Sequence, residues 1–307
     1  MNFLIFIAML YIIYNAFTIN LFVGIGAAIL LLVYVYFKWY PTFCITRARK
    51  TYGKDPEKAL AIFAKAEKRM NISQLQTYAY YLLREGKTEK SEEIYKKLLS
   101  AGLKPELRLK IRSDYAVFLL KTGQIDEAIA ELEEITVHYT NTTTYGSLGY
   151  CYLLKDSIRK AKNYNLEAYD YNSDDPVIID NMVQLYIKLT DYNEAKIYAD
   201  KLIEKKPYFV EAYYDAAYVY MKLGDITLAK ELLEDARCCR ITFMSVVKEA
   251  DLDAFEAAID SKSFNYEHKL GKFSGKEEYT EEDFKNLPEI EEEKPEEEYY
   301  DEDDPFI

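Results

Sequence analysis

From Asn2 to Phe37 the chain carries no charged side chain, and from Lys38 onward charged and apolar positions interleave at helical spacing. A helix rises about 1.5 Å per residue, so a hydrocarbon layer of about 30 Å takes about 20 residues. The uncharged run is too long for one straight crossing. Its polar positions, Asn15, Thr18 and Asn20, cluster in the middle. The pattern predicts two apolar segments, about Phe3–Tyr14 and about Leu21–Phe37, joined by a polar bend. The first is short for a full span, so two readings stand: it crosses, or it is an interfacial or re-entrant piece beside a single span. No Lys or Arg precedes the run, which argues against a cleaved secretory signal. Lys38, Arg47, Arg49, Lys50 and Lys54 follow it, with Trp39 and Tyr40 as interfacial anchors. Positive charge beside a span stays on the cytoplasmic side. The body is therefore expected in the cytoplasm. Gly24 and Ala28 form a small-xxx-small pair, which allows close helix packing; contact with the first segment is the favoured reading.

Past the uncharged run the chain repeats itself. Turn-plus-helix segments begin at Gly86 (GKTEKSEEIYKKLL), Gly123 (GQIDEAIAELEEI), Asp156 (DSIRKAKNYNLEA), Asp191 (DYNEAKIYADKLI) and Gly224 (GDITLAKELLEDA). Each has a small residue at the same place: Ser91, Ala128, Ala161, Ala195 and Ala229. These residues recur every 33 to 37 positions, and Ala59 in a partial copy stands 32 before Ser91. A small residue at a fixed point lets two helices approach closely, while Ile125, Leu132 and Ile135 recur at seam spacing. One such hairpin leaves an apolar face uncovered, so the copies must stack.

This pattern strongly resembles the tetratricopeptide repeat, a 34-residue helix–turn–helix unit. Tyr145, Leu148, Gly149, Tyr152, Ala161 and Ala168 fall on its positions in one copy, and Tyr213, Ala216, Ala217, Tyr220, Ala229, Leu233 and Ala236 in the last. Pro207 closes a copy. Asn165 and Ala199 replace an expected aromatic, and Val183 a small residue. The resemblance implies an all-α helix-turn-helix solenoid of about five full repeats plus a partial one. The division expected is membrane segments at 1–40, a juxtamembrane piece and partial repeat at 41–70, the array at 71–240, capping helices at 241–262, and an acidic disordered tail at 263–307. The lone helix around Pro56–Met70 should find a short partner in Thr42–Tyr52. The segment Ile241–Ser261 should form a closing helical pair.

The resemblance also implies a concave groove lined by the first helix of each pair. On this sequence its residues would include Tyr80, Arg84, Val117, Lys121, Tyr150, Asp180, Gln184, Lys188, Tyr214, Tyr218 and Lys222. The family's chaperone-binding subclass clamps a terminal carboxylate with Lys and Asn. The matching positions here are mainly Tyr, Ser, Gly and Gln, which argues against that partner. An aromatic and polar groove suits a peptide or protein segment.

Composition narrows the reading further. There are 30 Tyr against one Trp, and Tyr suits both helix seams and wet grooves. From Gly271 onward 4 Lys stand against 16 Asp or Glu, so nearly all of the net charge of −13 lies in that segment. The body is close to neutral, which excludes a nucleic-acid face. The acidic segment is too poor in apolar residues to fold alone and reads as a solvated tail; charge complementarity adds two sharper readings, docking against Lys121, Lys188 and Lys222 or docking onto another protein. Cys44, Cys151, Cys238 and Cys239 form no CxxC and lie far from His138 and His268. No metal is expected, since zinc sites take four N or S ligands, and no cofactor or small-molecule substrate either. His138 reads as a surface residue at a helix end and His268 as part of a polar linker. No phosphate loop, GxSxG or HExxH occurs, so no enzyme is expected. The function expected is a membrane-anchored scaffold that binds protein or peptide partners at the cytoplasmic face. Residue usage fits a bacterial inner or plasma membrane. The alternative is a non-catalytic subunit or regulator of a membrane enzyme or transport complex, held through the hydrophobic segments.

Overall fold

The computed structural model describes residues 2–139, 141–263 and 265–271, with side chains from residue 11 onward. The acidic segment beyond Gly271 lies outside the described residues. All regular structure among the described residues is helical. In chain order the helices are α1 (Asn2–Ile19), α2 (Leu21–Tyr52), α3 (Pro56–Ala66), α4 (Ile72–Arg84), α5 (Thr88–Leu99), α6 (Pro105–Lys121), α7 (Ile125–Thr136), α8 (Thr142–Leu154), α9 (Ile158–Tyr171), α10 (Pro176–Lys188), α11 (Tyr192–Glu204), α12 (Val210–Leu223), α13 (Ile226–Cys238) and α14 (Glu249–Asp260). A short 3-10 turn, Glu67–Arg69, follows α3.

The polar bend falls on one residue. Asn20 is extended and its side chain accepts the Phe22 N–H, capping α2. α1 packs on α2 with the Phe17 ring over Gly24, and a Cβ at that glycine would collide with the ring. Gly24 therefore serves packing between the two apolar segments. α2 is long and apolar enough to cross a membrane: an 18-residue window has mean hydropathy 2.2, with only 6% of it buried. The helix does not stop where the apolar run stops. It passes through Pro41, and its last turns, with Cys44, Ile45, Ala48 and Tyr52 buried, pack on α3. The partner foreseen in Thr42–Tyr52 is thus the far end of the apolar helix itself.

The remaining helices pair as α4/α5, α6/α7, α8/α9, α10/α11 and α12/α13. Five of these ten helices start on a side-chain cap. Asn71 and Gln74 form a capping box, Asn141 accepts the Thr144 N–H at 2.7 Å, and Asp175, Asp191 and Asp225 cap α10, α11 and α13. Such caps satisfy N–H groups that the helix leaves orphaned. Between the two helices of each pair one residue is left-handed: Gly86, Gly123 and Gly224 in three pairs, Asp156 and Thr190 in the other two. The small residues Ala59, Ser91, Ala128, Ala161, Ala195 and Ala229 are all fully buried. Ser91, the polar one, donates its hydroxyl to the Ala79 carbonyl of α4 at 2.8 Å. Asn165, where the repeat expects an aromatic, fits the space its neighbours leave. It fills the space over Gly149, where a Cβ would collide with it, and accepts the Asn181 amide at 3.1 Å.

The C-terminal end departs from expectation in two places. Ile241–Ser261 forms one helix, not two: α14 caps the last pair with Leu252, Phe255 and Ile259 buried, and residues 240–248 run without helix. Within residues 265–271, Tyr266, His268 and Leu270 turn toward the body while Asn265, Glu267 and Lys269 are exposed; His268 is 4% exposed and not part of a loose polar linker.

Candidate partner-binding groove

The first helices of successive pairs stand side by side and line a cavity of about 350 Å³. α4 supplies Tyr80 and Arg84, α6 Val117 and Lys121, α8 Gly146, Ser147 and Tyr150, and α10 Ile178, Asp180, Asn181 and Gln184. Tyr208, Phe209 and Glu211 extend it toward α12. The remaining wall comes from residues 240–246, a strap that crosses from the end of α13 back to α4.

Aromatic rings set the electrostatics. The Lys121 ammonium lies 5.5 Å from the centre of the Tyr150 ring. Burial lowers its pKa, partly offset by Glu211 and Asp180 nearby. Burial also pushes the Tyr150 phenol well up, helped by Glu211, Asp215 and Asp180. Arg84 stands over two rings, Tyr52 at 5.3 Å and Tyr80 at 5.8 Å. Such cation–ring contacts gain strength as water is excluded.

Asp180 is 4% exposed. Its carboxyl accepts the Gln184 amide at 2.9 Å and faces the carboxyl of Asp215, which in turn bonds His268 Nε2 at 2.9 Å. Burial first, then Asp215 and Glu211, hold the Asp180 pKa well above the carboxylate range. One oxygen on each carboxyl has no ordinary donor. A proton held on Asp180 and shared with Asp215 satisfies both, as close carboxyl pairs do.

The structure brings seven of the eleven expected groove residues together around the cavity: Tyr80, Arg84, Val117, Lys121, Tyr150, Asp180 and Gln184. The other four stand elsewhere. Lys188 is buried and bonds Asp156 at 2.8 Å. Tyr214 and Tyr218 are buried beside Phe255 of α14 and His268. Lys222 donates to the Tyr266 carbonyl at 3.1 Å. Lys188 and Lys222 are thus engaged within the body, and the docking expected of the acidic segment lies outside the described residues. Sequence reasoning missed the strap. Its signal was the β-branched and aromatic run ITFMSVV, whose residues are mostly poor helix formers. Among the described residues no cluster of His, Cys, Asp and Glu is arranged to hold a metal ion.

Comparison with known proteins agrees with this architecture. A family profile for the tetratricopeptide repeat matches residues 178–208 and 210–236, the pairs α10/α11 and α12/α13. The TPR repeat-containing protein YvcD of Bacillus subtilis (strain 168) is 29% identical over 107 residues, 34% of this chain and 22% of that protein. The chain thus spans about a fifth of the curated relative it matches. The crystal structure of PilW, a widely conserved type IV pilus biogenesis factor, superposes with TM-score 0.50 at 16% identity, over 64% of this chain and 92% of PilW. TTC0263, a thermophilic TPR protein of Thermus thermophilus, gives TM-score 0.50 at 14% identity, over 62% of this chain and 100% of that one. At such identities the likeness concerns the fold. The chain carries tetratricopeptide repeats, and its helical body is a tetratricopeptide-repeat solenoid.

Proposed function

We propose that this protein is a membrane-anchored, non-catalytic scaffold that holds a partner protein in the groove between α4 and α12, on the cytoplasmic side. The observation that carries the reading is α2. Its first half leaves Leu21, Phe22, Leu30 and Leu32 more than half exposed, and its second half is the first helix of the repeat body. Water does not tolerate so long an apolar surface, and lipid does. Where the run ends, Arg69 lies 4.6 Å from the centre of the Phe37 ring and Lys38 5.7 Å from Tyr34. That cationic rim supports a cytoplasmic body. The groove supports the partner class, since Tyr and Arg, here Tyr80, Tyr150 and Arg84, are enriched at protein interfaces.

The same exposed helix favours the second reading, a subunit of a membrane complex gripped through α1 and α2. Capture from crosslinked membranes separates the two. The full-length chain should recover its partners, and Tyr150→Ala should reduce recovery about tenfold, in line with the removal of one anchor residue. Recovery that survives Tyr150→Ala but vanishes when Leu30 and Leu32 become Ser assigns the contact to the helix. Extraction of the native chain by alkaline carbonate would refute the anchor.

A further inference from the structure

The strap touches the array at a few defined points, and these points describe a ligand. The Arg240 guanidinium bonds Glu85 at 2.7 Å and stands 4.6 Å from the centre of the Tyr52 ring. Three residues on, the Phe243 N–H donates to the Arg84 carbonyl at 3.0 Å, and its side chain rests where Gly86 has no Cβ, 3.2 Å from where one would lie. Three residues further, the Val246 N–H donates to Glu211 at 2.5 Å. In order these are a cation box, a backbone acceptor with an open place for a ring, and a second acceptor for a backbone N–H. Between the last two points the strap turns, with the Ser245 N–H donating to the Thr242 carbonyl at 3.2 Å and the Thr242 N–H to the Ser245 hydroxyl at 3.1 Å, so the site reads a turned segment.

The strap fills this site poorly. Arg240 is exposed and Phe243 is 42% exposed, whereas Val247, just past the groove, is 2% exposed and α14 buries Phe255 completely. The strap is held by hydrogen bonds, while its side chains at Arg240 and Phe243 stay open to solvent. Met244, Ser245 and Val246 face the wall of Lys121, Tyr150 and Gln184 and leave about 350 Å³ between. Well-packed interiors hold few voids larger than a water molecule. A segment with larger side chains at these places would gain contacts that the strap lacks.

We propose that the strap is a resident copy of the groove's ligand: the groove binds a turn-forming partner segment bearing an arginine or lysine and, three residues later, an aromatic, and it binds by displacing residues 240–246. The proposal rests on the groove reading above. A tethered strap competes at an effective concentration that reaches millimolar for short connections. The partner's apparent affinity is reduced by the fraction of chains in which the strap is seated.

The test uses the full-length chain in detergent micelles and a fluorescent peptide with the sequence of residues 240–248. Arg240→Ala with Phe243→Ala loosens the strap, and that chain should bind the peptide at least about tenfold tighter than the native one. Adding Glu85→Lys should abolish the gain, as should replacing the peptide's own Arg and Phe by Ala. Equal affinity for both chains, or no binding by a loosened chain of native helicity, overturns the proposal. Should the double variant fail to fold, hydrogen exchange on the native chain decides. The Phe243 and Val246 amides should exchange at least about a hundredfold faster than those of Leu232 and Leu233, as a locally opening segment does; equal protection overturns the proposal. Failure here leaves partner capture through Tyr150 standing, whereas capture insensitive to Tyr150→Ala defeats the groove reading whatever the peptide does.

Discussion

Asp180 shows how one side chain in the groove carries a measurable signature. Its raised pKa comes from burial and from Asp215 and Glu211, with Lys121 close by and His268 on the far side of Asp215. An unfolded Asp ionises near about pH 3.9. The folded carboxyl keeps its proton well above that, so the native state binds more protons across the interval. Stability attributable to this group therefore falls as pH rises from the unfolded pKa toward the folded one, by at most about 1.4 kcal/mol per pH unit. Asn at this position keeps both hydrogen bonds, one accepted from Gln184 and one donated to Asp215, without needing a proton. Asp180→Asn should be stabilising, with a gain that grows as pH rises above the unfolded value of about 3.9; denaturant melts at several pH values measure it, and a gain independent of pH refutes the shared proton. The repeat register places Asp180 in the groove from sequence alone. Its pairing with Asp215 and His268 was not legible, because residue 268 lies past the last repeat, where no period applies.

At the scale of elements, the six small positions set how closely the two helices of a pair approach. Ala195 is fully buried in the α10/α11 pair. Leu there should destabilise the chain by about 1–3 kcal/mol, the range for overpacking a close contact. A urea melt checks this, and a loss under about 0.5 kcal/mol, typical of a surface position, would mean that the pair does not depend on the approach. These positions were legible because a period needs only spacing. The turns were legible for the same reason, although only the structure shows that Asp156 and Thr190 take the left-handed place glycine holds in the other pairs. Asn71 and Asn141 stand in triplets that resemble glycosylation acceptors, yet both are helix caps. The strap was not legible. It has no period, and its partner Glu85 lies 155 residues away from Arg240.

At the scale of the whole molecule, the strap joins the pair α4/α5 to the end of α13. Repeat arrays ordinarily contact only their neighbours, so their ends open independently. Here Arg240 and Phe243 add a contact between the first and last full repeats. With Arg240→Ala and Phe243→Ala, amides of α4 should exchange faster while those of α10 keep their protection; unchanged exchange in α4 would show that the strap carries no coupling between the ends. The apolar run is legible in the sequence as a separate feature. Its unbroken continuation into the repeat body is not, since Pro41 and the charges after Phe37 read as a boundary. Proline does remove one backbone donor, but the helix resumes because Cys44, Ile45 and Ala48 bury a face against α3.

That continuity makes α2 an axle. Residues along a helix turn by about 100° each, from 3.6 residues per turn. Whatever grips Leu21–Phe37 therefore fixes the compass bearing of the groove as well as its height. A single residue added between Phe37 and Thr42 would leave every contact of the groove intact and point its mouth about a quarter-turn away from its neighbours.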